Sequence, residues 1–245
     1  MRAAMPEPTV DVGPSDRVSR LRERIVQAPR EACIERARYL TESMSAHWDE
    51  HPLTRMSRAL GHVLDNITVS IREDELIVGC RTSKLKGAPF FPENKSRWVE
   101  GDVDTFGDRV IQKVRIGEAE ARELSRDILP FWRGRTTEDR FEELLPADVA
   151  NDMDKYVFTL ILEITYGIGH FTMNHRRILE HGLAGVIEQA RRKLDAMTSG
   201  ERSGESGLLY DAMIRSLAAA IRFAHRHADL AEELAAKESD PHWYL

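Results

Sequence analysis

The sequence contains little of what disulfide-rich, membrane-spanning or nucleic-acid-binding proteins need. Its two cysteines, Cys33 and Cys80, are too few for a disulfide framework or a cysteine-based metal site. Its apolar runs are all shorter than the ~20 residues that cross a bilayer, and residues 1–16 lack the apolar core of a signal peptide. The net charge of −6 argues against nucleic-acid binding. We therefore expect a cytoplasmic protein with reduced thiols, and neither a membrane nor a nucleic acid as partner.

Most of the chain has the composition and periodicity of a helical globular protein. Hydrophobic residues make up 42% and charged residues 31% of the 245 residues, which is typical of a folded chain. Residues 1–15 predict a flexible tail, and residues 16–245 a single, incomplete domain. Ser15 and either Thr136 or Thr137 are suitable N-caps. Apolar residues recur at helical spacing near residues 18–25, 33–44, 53–63, 121–128 (ending before Pro130), 178–194 and 209–238.

A few segments have the pattern of strands or loops instead. Residues 67–71 alternate apolar and polar side chains, and the apolar run 76–78 is closed by a glycine, so we expect two short strands. Residues 157–166, VFTLILEITY, fit a buried strand or a core helix. Residues 96–109 are expected to be irregular and 199–207 to form a flexible loop. So few strands cannot close a sheet alone, which predicts the outer helical part of a larger fold.

The best candidate for a binding site is the turn YGIGHFTMNH at residues 166–175. Gly167 and Gly169 allow a tight turn and a close approach to a ligand. His170 follows them, and its imidazole could hydrogen-bond a substrate hydroxyl or carboxylate, or transfer a proton. The alternative is a structural histidine that satisfies backbone groups of the turn.

The other histidines do not form a ligand pattern. His170, His175 and His181 are spaced by five and six residues and share no helical face, so we expect no metal site. His225 and His227 point in different directions on a predicted helix and are expected at the surface.

A basic stretch between Arg81 and Lys86 is the remaining candidate. It could attract an anion, but a solvated face or a contact with another part of a larger protein explains it equally well. Cys80, beside the predicted strand, is expected to be a small apolar side chain. The sequence contains no dinucleotide or phosphate-binding glycine motif and no recognisable nucleophile–histidine pattern.

Several blocks of the sequence resemble, in order, the amino-terminal part of the glycyl radical enzymes, in the dehydratase and lyase branch. The resemblance extends from Val18 to Asp240. It implies a chain that is mainly α with a few short strands, the amino-terminal portion of a ten-stranded α/β barrel wrapped in helices, in an enzyme that is usually a homodimer. The block GAPFFPE at residues 87–93, stiffened by Pro89 and Pro92, is then expected to pack as scaffold against the barrel. The matching blocks are CIERARYLTES (33–43), IREDELIVGCRTS (71–83), GAPFFPE (87–93), ILPFWRGRT (128–136) and GIGHFTMNHRRILEHGLAGVIEQA (167–190).

The resemblance also implies a reaction, namely radical cleavage of a C–O, C–N, C–S or C–C bond in a small polar substrate. In this family an activase that uses S-adenosylmethionine installs a glycyl radical, which passes to a cysteine in a Cys-x-Glu loop. Cys33 and Glu35 have that spacing but lie in the peripheral helix block, and no Arg-Val-x-Gly motif occurs. We therefore expect no catalytic residue, no bound cofactor and no activity in this chain alone.

His170 matches a histidine that contacts substrate in the glycerol dehydratase branch of the family, and Phe171 and Asn174 are further candidates for substrate binding. Three other interpretations remain open from the sequence. The chain could be a non-catalytic helical interaction module, one subunit of a split enzyme, or an independent domain that binds a small molecule through His170.

Overall fold

The computed structural model describes residues 15–155, 157 and 173–239, and most of them are helical. The fold is mainly α with a few short strands, as predicted. None of the helices in these ranges is long and apolar enough to span a membrane. A π-helical turn covers Leu124–Ile128, a 3₁₀ turn Val103–Thr105, and the two strands are β1 (Glu31–Cys33) and β2 (Gly87–Pro89). The helices are α1 (Asp16–Gln27), α2 (Glu35–Ala46), α3 (Pro52–Asn66), α4 (Arg97–Asp102), α5 (Glu118–Glu123), α6 (Leu129–Trp132), α7 (Thr137–Glu143), α8 (Ala147–Asp154), α9 (His175–Asp195), α10 (Ser199–Ser203) and α11 (Glu205–Lys237).

Local capping signals fix several helix starts where the sequence predicts them. The Ser15 side chain accepts a hydrogen bond from the backbone N–H of Val18 and caps α1. Thr136 caps α7, because its hydroxyl accepts from the Asp139 backbone N–H while the Asp139 carboxylate accepts from the Thr136 backbone N–H. Such caps satisfy donors that have no partner inside the helix. The predictions for α1 and α7 are therefore confirmed.

The core lies where α2, α3, the strand pair and the α4–α6 region meet. Trp132 at the end of α6 is almost fully buried, and its indole N–H donates to the hydroxyl of Thr41 in α2 over 2.8 Å. Its ring also packs edge-on against Trp48, with the ring centroids 6.3 Å apart. A buried aromatic side chain with a satisfied polar atom ties two elements together, so Trp132 joins α6 to α2.

The two strands form a small parallel pair that the sequence did not predict. Glu31 pairs with Gly87 and Cys33 with Pro89. Cys33 is buried, and it lies in β1 rather than in a helix. The prediction of a helix from Cys33 was therefore wrong at its start, because pairing with a distant segment overrides local periodicity there.

Two predicted strands are absent from the described residues. Residues 68–71 have no partner strand, and Ile67 is buried as the C-cap of α3. In the run 76–78, Leu76 is 75% exposed and Ile77 93% exposed. The physical reason is a turn just before them, where Asp74 has a φ of 69° and its carboxylate accepts two hydrogen bonds from Arg20 of α1. The segment is held by α1 and not by a sheet.

The helical segment around Pro130 also differs from its prediction, which had the helix end before this proline. Helical structure instead continues from α5 to the end of α6. A π-helical turn precedes the proline, in which the Leu129 backbone N–H donates to the carbonyl of Leu124, five residues earlier. Such a turn is a known way to fit a proline, which lacks an N–H, into a helix.

Two segments predicted to be irregular are helical. Residues 96–109 contain α4 and the 3₁₀ turn, and residues 199–207 contain α10. The start of α10 is fixed by Thr198 and Glu201, whose side chains each accept from the other's backbone N–H. Composition predicted loops here, but the capping box and, for α4, burial of Val99 stabilise short helices.

The longest helix, α11, packs along α3 and α9 as the predicted amphipathic pattern required. Arg222 of α11 donates two hydrogen bonds to the Asp65 carboxylate, at 2.9 and 2.7 Å. His227 is buried rather than exposed, with its ring 4.6 Å from that of Phe223 and its Nδ1 3.0 Å from the Phe223 carbonyl oxygen. The prediction of a surface position for His227 was therefore wrong, whereas His225 is exposed.

Candidate functional site

A groove of about 960 Å³ lies between α3, α9 and α11. We call it the apolar groove, because most of its wall is aliphatic side chains and methionines. Hydrophobic side chains of three amphipathic helices face one another across it, so the groove follows directly from the periodicity of these helices. Representative wall residues are Met56 and Leu60 of α3, Leu183 and Val186 of α9, and Met213 and Leu217 of α11.

One predicted substrate-binding residue, Asn174, lies at the edge of this groove. Asn174 is the N-cap of α9, and its side-chain oxygen accepts a hydrogen bond from the Arg177 backbone N–H over 3.1 Å. Its carboxamide oxygen is therefore committed to the helix cap, and the amide nitrogen is the group that can meet a ligand. His170 and Phe171, the other two predicted residues, lie outside the described residues, as do Gly167 and Gly169.

Two polar side chains of the groove, Ser57 and Arg177, already have hydrogen-bond partners. Ser57 donates to the Thr54 carbonyl over 2.9 Å and accepts from Arg215 at 2.7 Å. Arg177 donates to the side chain of Gln189. No His, Cys, Asp or Glu lines the groove within the part of the chain that the structure describes. The described wall therefore offers mainly apolar contact and no carboxylate, imidazole or thiol.

Metal binding finds no support among the residues that can be described. No group of three or more His, Cys, Asp or Glu side chains in residues 15–155, 157 and 173–239 could hold a metal ion. His175 and His181 both lie in α9 with exposed side chains. His170, the third member of the histidine set considered in the sequence, is outside these ranges.

A second cavity, of about 540 Å³, lies beside β2 and α4 and was missed by the sequence analysis. We call it the aromatic cleft. Phe90 and Phe106 stack in its wall with their centroids 5.9 Å apart, and Trp98 tilts against both rings. The signal available in the sequence was the aromatic residues around 98 and 106. It could not be used because the segment 96–109 was expected to be irregular.

The block GAPFFPE, at residues 87–93, is anchored by Arg36 of α2. The Arg36 guanidinium donates to both oxygens of the Glu93 carboxylate, at 2.5 and 3.1 Å, and to the Phe90 carbonyl at 3.2 Å. It also lies over the ring of Phe91, 4.1 Å from the centroid. A bidentate arginine–carboxylate pair combined with a cation–π contact fixes both position and orientation. The block is thus held rigidly against α2.

Three carboxylates have clearly lowered pKa values, and all three serve structural roles. Hydrogen bonds from Thr198 lower the pKa of Glu201 in the cap of α10, and the other two, Asp74 and Asp139, pair with arginines. Hydrogen bonds from Arg20 lower the pKa of Asp74, which fastens the turn before residue 75 to α1. Burial alone would raise the pKa of Asp139, but hydrogen bonds from Arg97 and Thr136 outweigh it and the net shift is downward. Asp74 and Asp139 are therefore stabilised in the charged form, which suits an ion pair and not proton transfer at neutral pH.

The fold and its comparison with known proteins define the class of this chain. The family model described as pyruvate formate lyase-like matches residues 9–243, and the chain belongs to that family. A solved structure of a glycyl radical enzyme from Archaeoglobus fulgidus superposes with a TM-score of 0.84 at 30% sequence identity, over 92% of this chain and 29% of that one.

Among individual relatives, the chain is similar to dehydratases and lyases. It is 28% identical to the (2S)-3-sulfopropanediol dehydratase of Klebsiella oxytoca, over 94% of this chain and 29% of the relative. It is 30% identical to the isethionate sulfite-lyase of Desulfovibrio desulfuricans, over 92% and 28% respectively. The chain thus spans between a quarter and a third of the length of these curated relatives.

Proposed function

We propose that this chain is the amino-terminal part of a glycyl radical dehydratase or lyase that acts on a small polar substrate. The reaction is the radical elimination of water, an amine or sulfite, or a related C–C cleavage. The observation that carries the proposal is the family match over residues 9–243, together with relatives that are dehydratases and lyases. The proposed enzyme is cytoplasmic, works in anaerobic metabolism and assembles as a homodimer.

Within that enzyme the described helices act as scaffold, and the segment 166–175 contacts the substrate. His170 hydrogen-bonds the hydroxyl or other leaving group, and Phe171 and Asn174 border it. Two facts support this assignment. Asn174 lies at the mouth of the apolar groove, and the helix cap leaves only its amide nitrogen as a donor. An imidazole can donate or accept a proton near neutral pH, which suits contact with a departing hydroxyl.

The glycyl radical of such an enzyme is installed by an activase that uses S-adenosylmethionine, and it serves to abstract a substrate hydrogen through a cysteine. This sequence contains no Arg-Val-x-Gly motif, and its one Cys-x-Glu sequence, Cys33 to Glu35, places Cys33 in β1 inside the core. We therefore assign neither the radical nor the thiyl cysteine to a residue of this chain. The activase is the proposed protein partner.

The test uses the natural polypeptide that carries these residues, activated anaerobically by its activase. A glycyl radical should appear by electron paramagnetic resonance, and one compound of a panel of (2S)-3-sulfopropanediol, isethionate, glycerol, choline and trans-4-hydroxyproline should be consumed. The 245-residue chain treated in the same way should give no glycyl signal. A signal on that chain would overturn the proposal, and so would an activated enzyme that consumes none of these compounds.

Two variants test the role of His170 independently of the enzyme class. His170→Ala should leave the radical signal unchanged and lower kcat/KM by about a hundredfold or more, because a positioned acid or hydrogen-bond donor is lost. His175→Ala is the matched control, since His175 is an exposed histidine at the start of α9. Its kcat/KM should stay near that of the wild type. Equal losses of kcat/KM in the two variants would show that His170 has no special role in substrate binding. They would not contradict the assignment of the enzyme class.

A further inference from the structure

The aromatic cleft has a rigid wall with one exposed ring. Phe90 and Phe106 are only 7% and 2% exposed, and their planes are within 10° of parallel. Trp98 rests on both rings and is 40% exposed. Its indole is thus held on a packed support with one side accessible to solvent. Such a surface suits stacking with another planar ring at little cost in side-chain entropy.

Positive charge surrounds this wall. The aromatic cleft continues into a basic recess of about 520 Å³, which adds Arg30 and Lys86, and the two cavities share Arg81 and Arg109. No Asp or Glu belongs to the lining of either cavity in the described part of the chain. The two linked cavities therefore present cations without acidic side chains among them.

Only some of these cations are neutralised by carboxylates elsewhere. Arg109 pairs with Asp102 and also lies 4.6 Å from the centroid of the Phe106 ring. By contrast, no carboxylate within residues 15–155, 157 and 173–239 pairs with Arg30 or Arg81. Lys86 donates to a backbone carbonyl, that of Ile25, at 3.2 Å. Three cationic groups near one cavity repel one another, and a bound anion relieves that repulsion.

We propose that the aromatic cleft binds a small planar organic anion, with its ring on Trp98 and its carboxylate, sulfonate or phosphate group near Arg81. The volume of about 540 Å³ is that of a small-molecule site, with apolar walls and a few polar groups that set orientation. The aromatic cleft shares no lining residue with the apolar groove, so these two cavities are separate. In this proposal, Arg81 of the basic stretch 81–86 binds the anionic group of the ligand.

The test measures binding of 1-naphthalenesulfonate to the purified 245-residue chain by isothermal titration calorimetry. The uncharged analogue 1-naphthalenemethanol, of similar shape, serves as the charge control. We expect one-to-one binding of the sulfonate, weaker at high salt, and binding of the uncharged analogue that is weaker by about tenfold, since a charge-assisted hydrogen bond is lost.

Variants then locate the site. Arg81→Gln should weaken sulfonate binding about tenfold without changing the circular dichroism spectrum, because Arg81 is exposed and has no polar partner in the described ranges. Trp98→Leu should weaken both ligands. Arg191→Gln removes the same charge from the exposed face of α9 and should leave both affinities within about twofold of wild type. Equal affinity for the two ligands, unchanged binding by Arg81→Gln, or no saturable binding up to about 1 mM would overturn the proposal.

Discussion

The hydrogen bond between Trp132 and Thr41 offers a sharp test of how the core is held together. The indole N–H of Trp132 donates to the Thr41 hydroxyl over 2.8 Å, and that hydroxyl donates in turn to the Ala37 carbonyl over 2.7 Å. Trp132 is 1% exposed and Thr41 is 6% exposed. The perturbations are Trp132→Phe, Thr41→Val and the two combined. Each single substitution removes one side of a buried pair.

The expected losses can be worked out from these contacts. Trp132→Phe removes a hydrogen bond worth about 1 kcal/mol. It also removes roughly 40 Å³ of buried side chain, which at ~24 cal/mol per Å³ of cavity costs about 1 kcal/mol more. Thr41→Val leaves the indole N–H buried without an acceptor and should cost about 1–3 kcal/mol. The double variant should be more stable than the sum of the single losses implies, by about 1 kcal/mol, because the second change removes a partner already lost.

The assay is urea unfolding of the four proteins, followed by far-UV circular dichroism. Their free energies of unfolding are compared with one common dependence on urea concentration. Trp98→Phe is the matched control. Trp98 is 40% exposed and its indole N–H donates to no group in the described ranges, so this substitution should cost less than about 1 kcal/mol. Strict additivity of Trp132→Phe and Thr41→Val would refute the idea that the hydrogen bond contributes to stability. A Trp98→Phe loss as large as that of Trp132→Phe would refute the burial argument.

Three further predictions concern other contacts. Arg36→Lys should lower the free energy of unfolding by about 1–3 kcal/mol, since lysine cannot keep the bidentate pair with Glu93, and urea titration measures it. Gly182→Ala should cost about 1–3 kcal/mol, because the φ of 64° and ψ of 171° at the kink of α9 suit only glycine; a rise in melting temperature would contradict this. Asp139→Asn should lower the free energy of unfolding at pH 7, and this loss should fade below about pH 4. Folding lowers the pKa of Asp139, so its carboxylate stabilises the folded state above the unfolded-state pKa, and this contribution disappears as the pH falls through the folded-state pKa. Urea midpoints at pH 7 and pH 3 test this, and an equal loss at both would contradict it.

Helices with local signals were predictable from the sequence. α11 was expected from its long apolar stripe, and α1 and α7 from the capping residues Ser15 and Thr136. These features depend on residues only three or four positions apart, so one stretch of chain contains all the information needed.

The errors about strands fall where distant contacts decide the structure. β1 and β2 pair residues that are 56 positions apart, and neither three-residue segment has a strand pattern of its own. The run 76–78 has that pattern but is exposed at Leu76 and Ile77, because Asp74 binds the preceding turn to α1. A short apolar run cannot show which partner, if any, it will find.

The candidate site shows the same division. The resemblance placed three residues in a substrate pocket, and of these only Asn174 can be described; it lines the apolar groove and caps α9. Its role in substrate binding stays a prediction. The roles of His170 and Phe171 stay predictions. The aromatic cleft could not be predicted, because it brings together β2, α4 and a residue after the 3₁₀ turn, and α4 itself was not expected.

The block GAPFFPE shows how a family signature can arise from structure rather than chemistry. We expect it to be scaffold packed against a barrel, and its described contacts within this chain are also structural. Phe90 enters the core, Phe91 lies under the Arg36 guanidinium, and the Glu93 carbonyl accepts from the backbone N–H of Thr137 at the start of α7. The block therefore joins β2 to α2 and α7, and its two aromatics also line the aromatic cleft. A segment with this many simultaneous partners tolerates few substitutions, since each side chain meets a different element. The block can therefore identify the family without taking part in its chemistry, because packing alone restricts which residues fit.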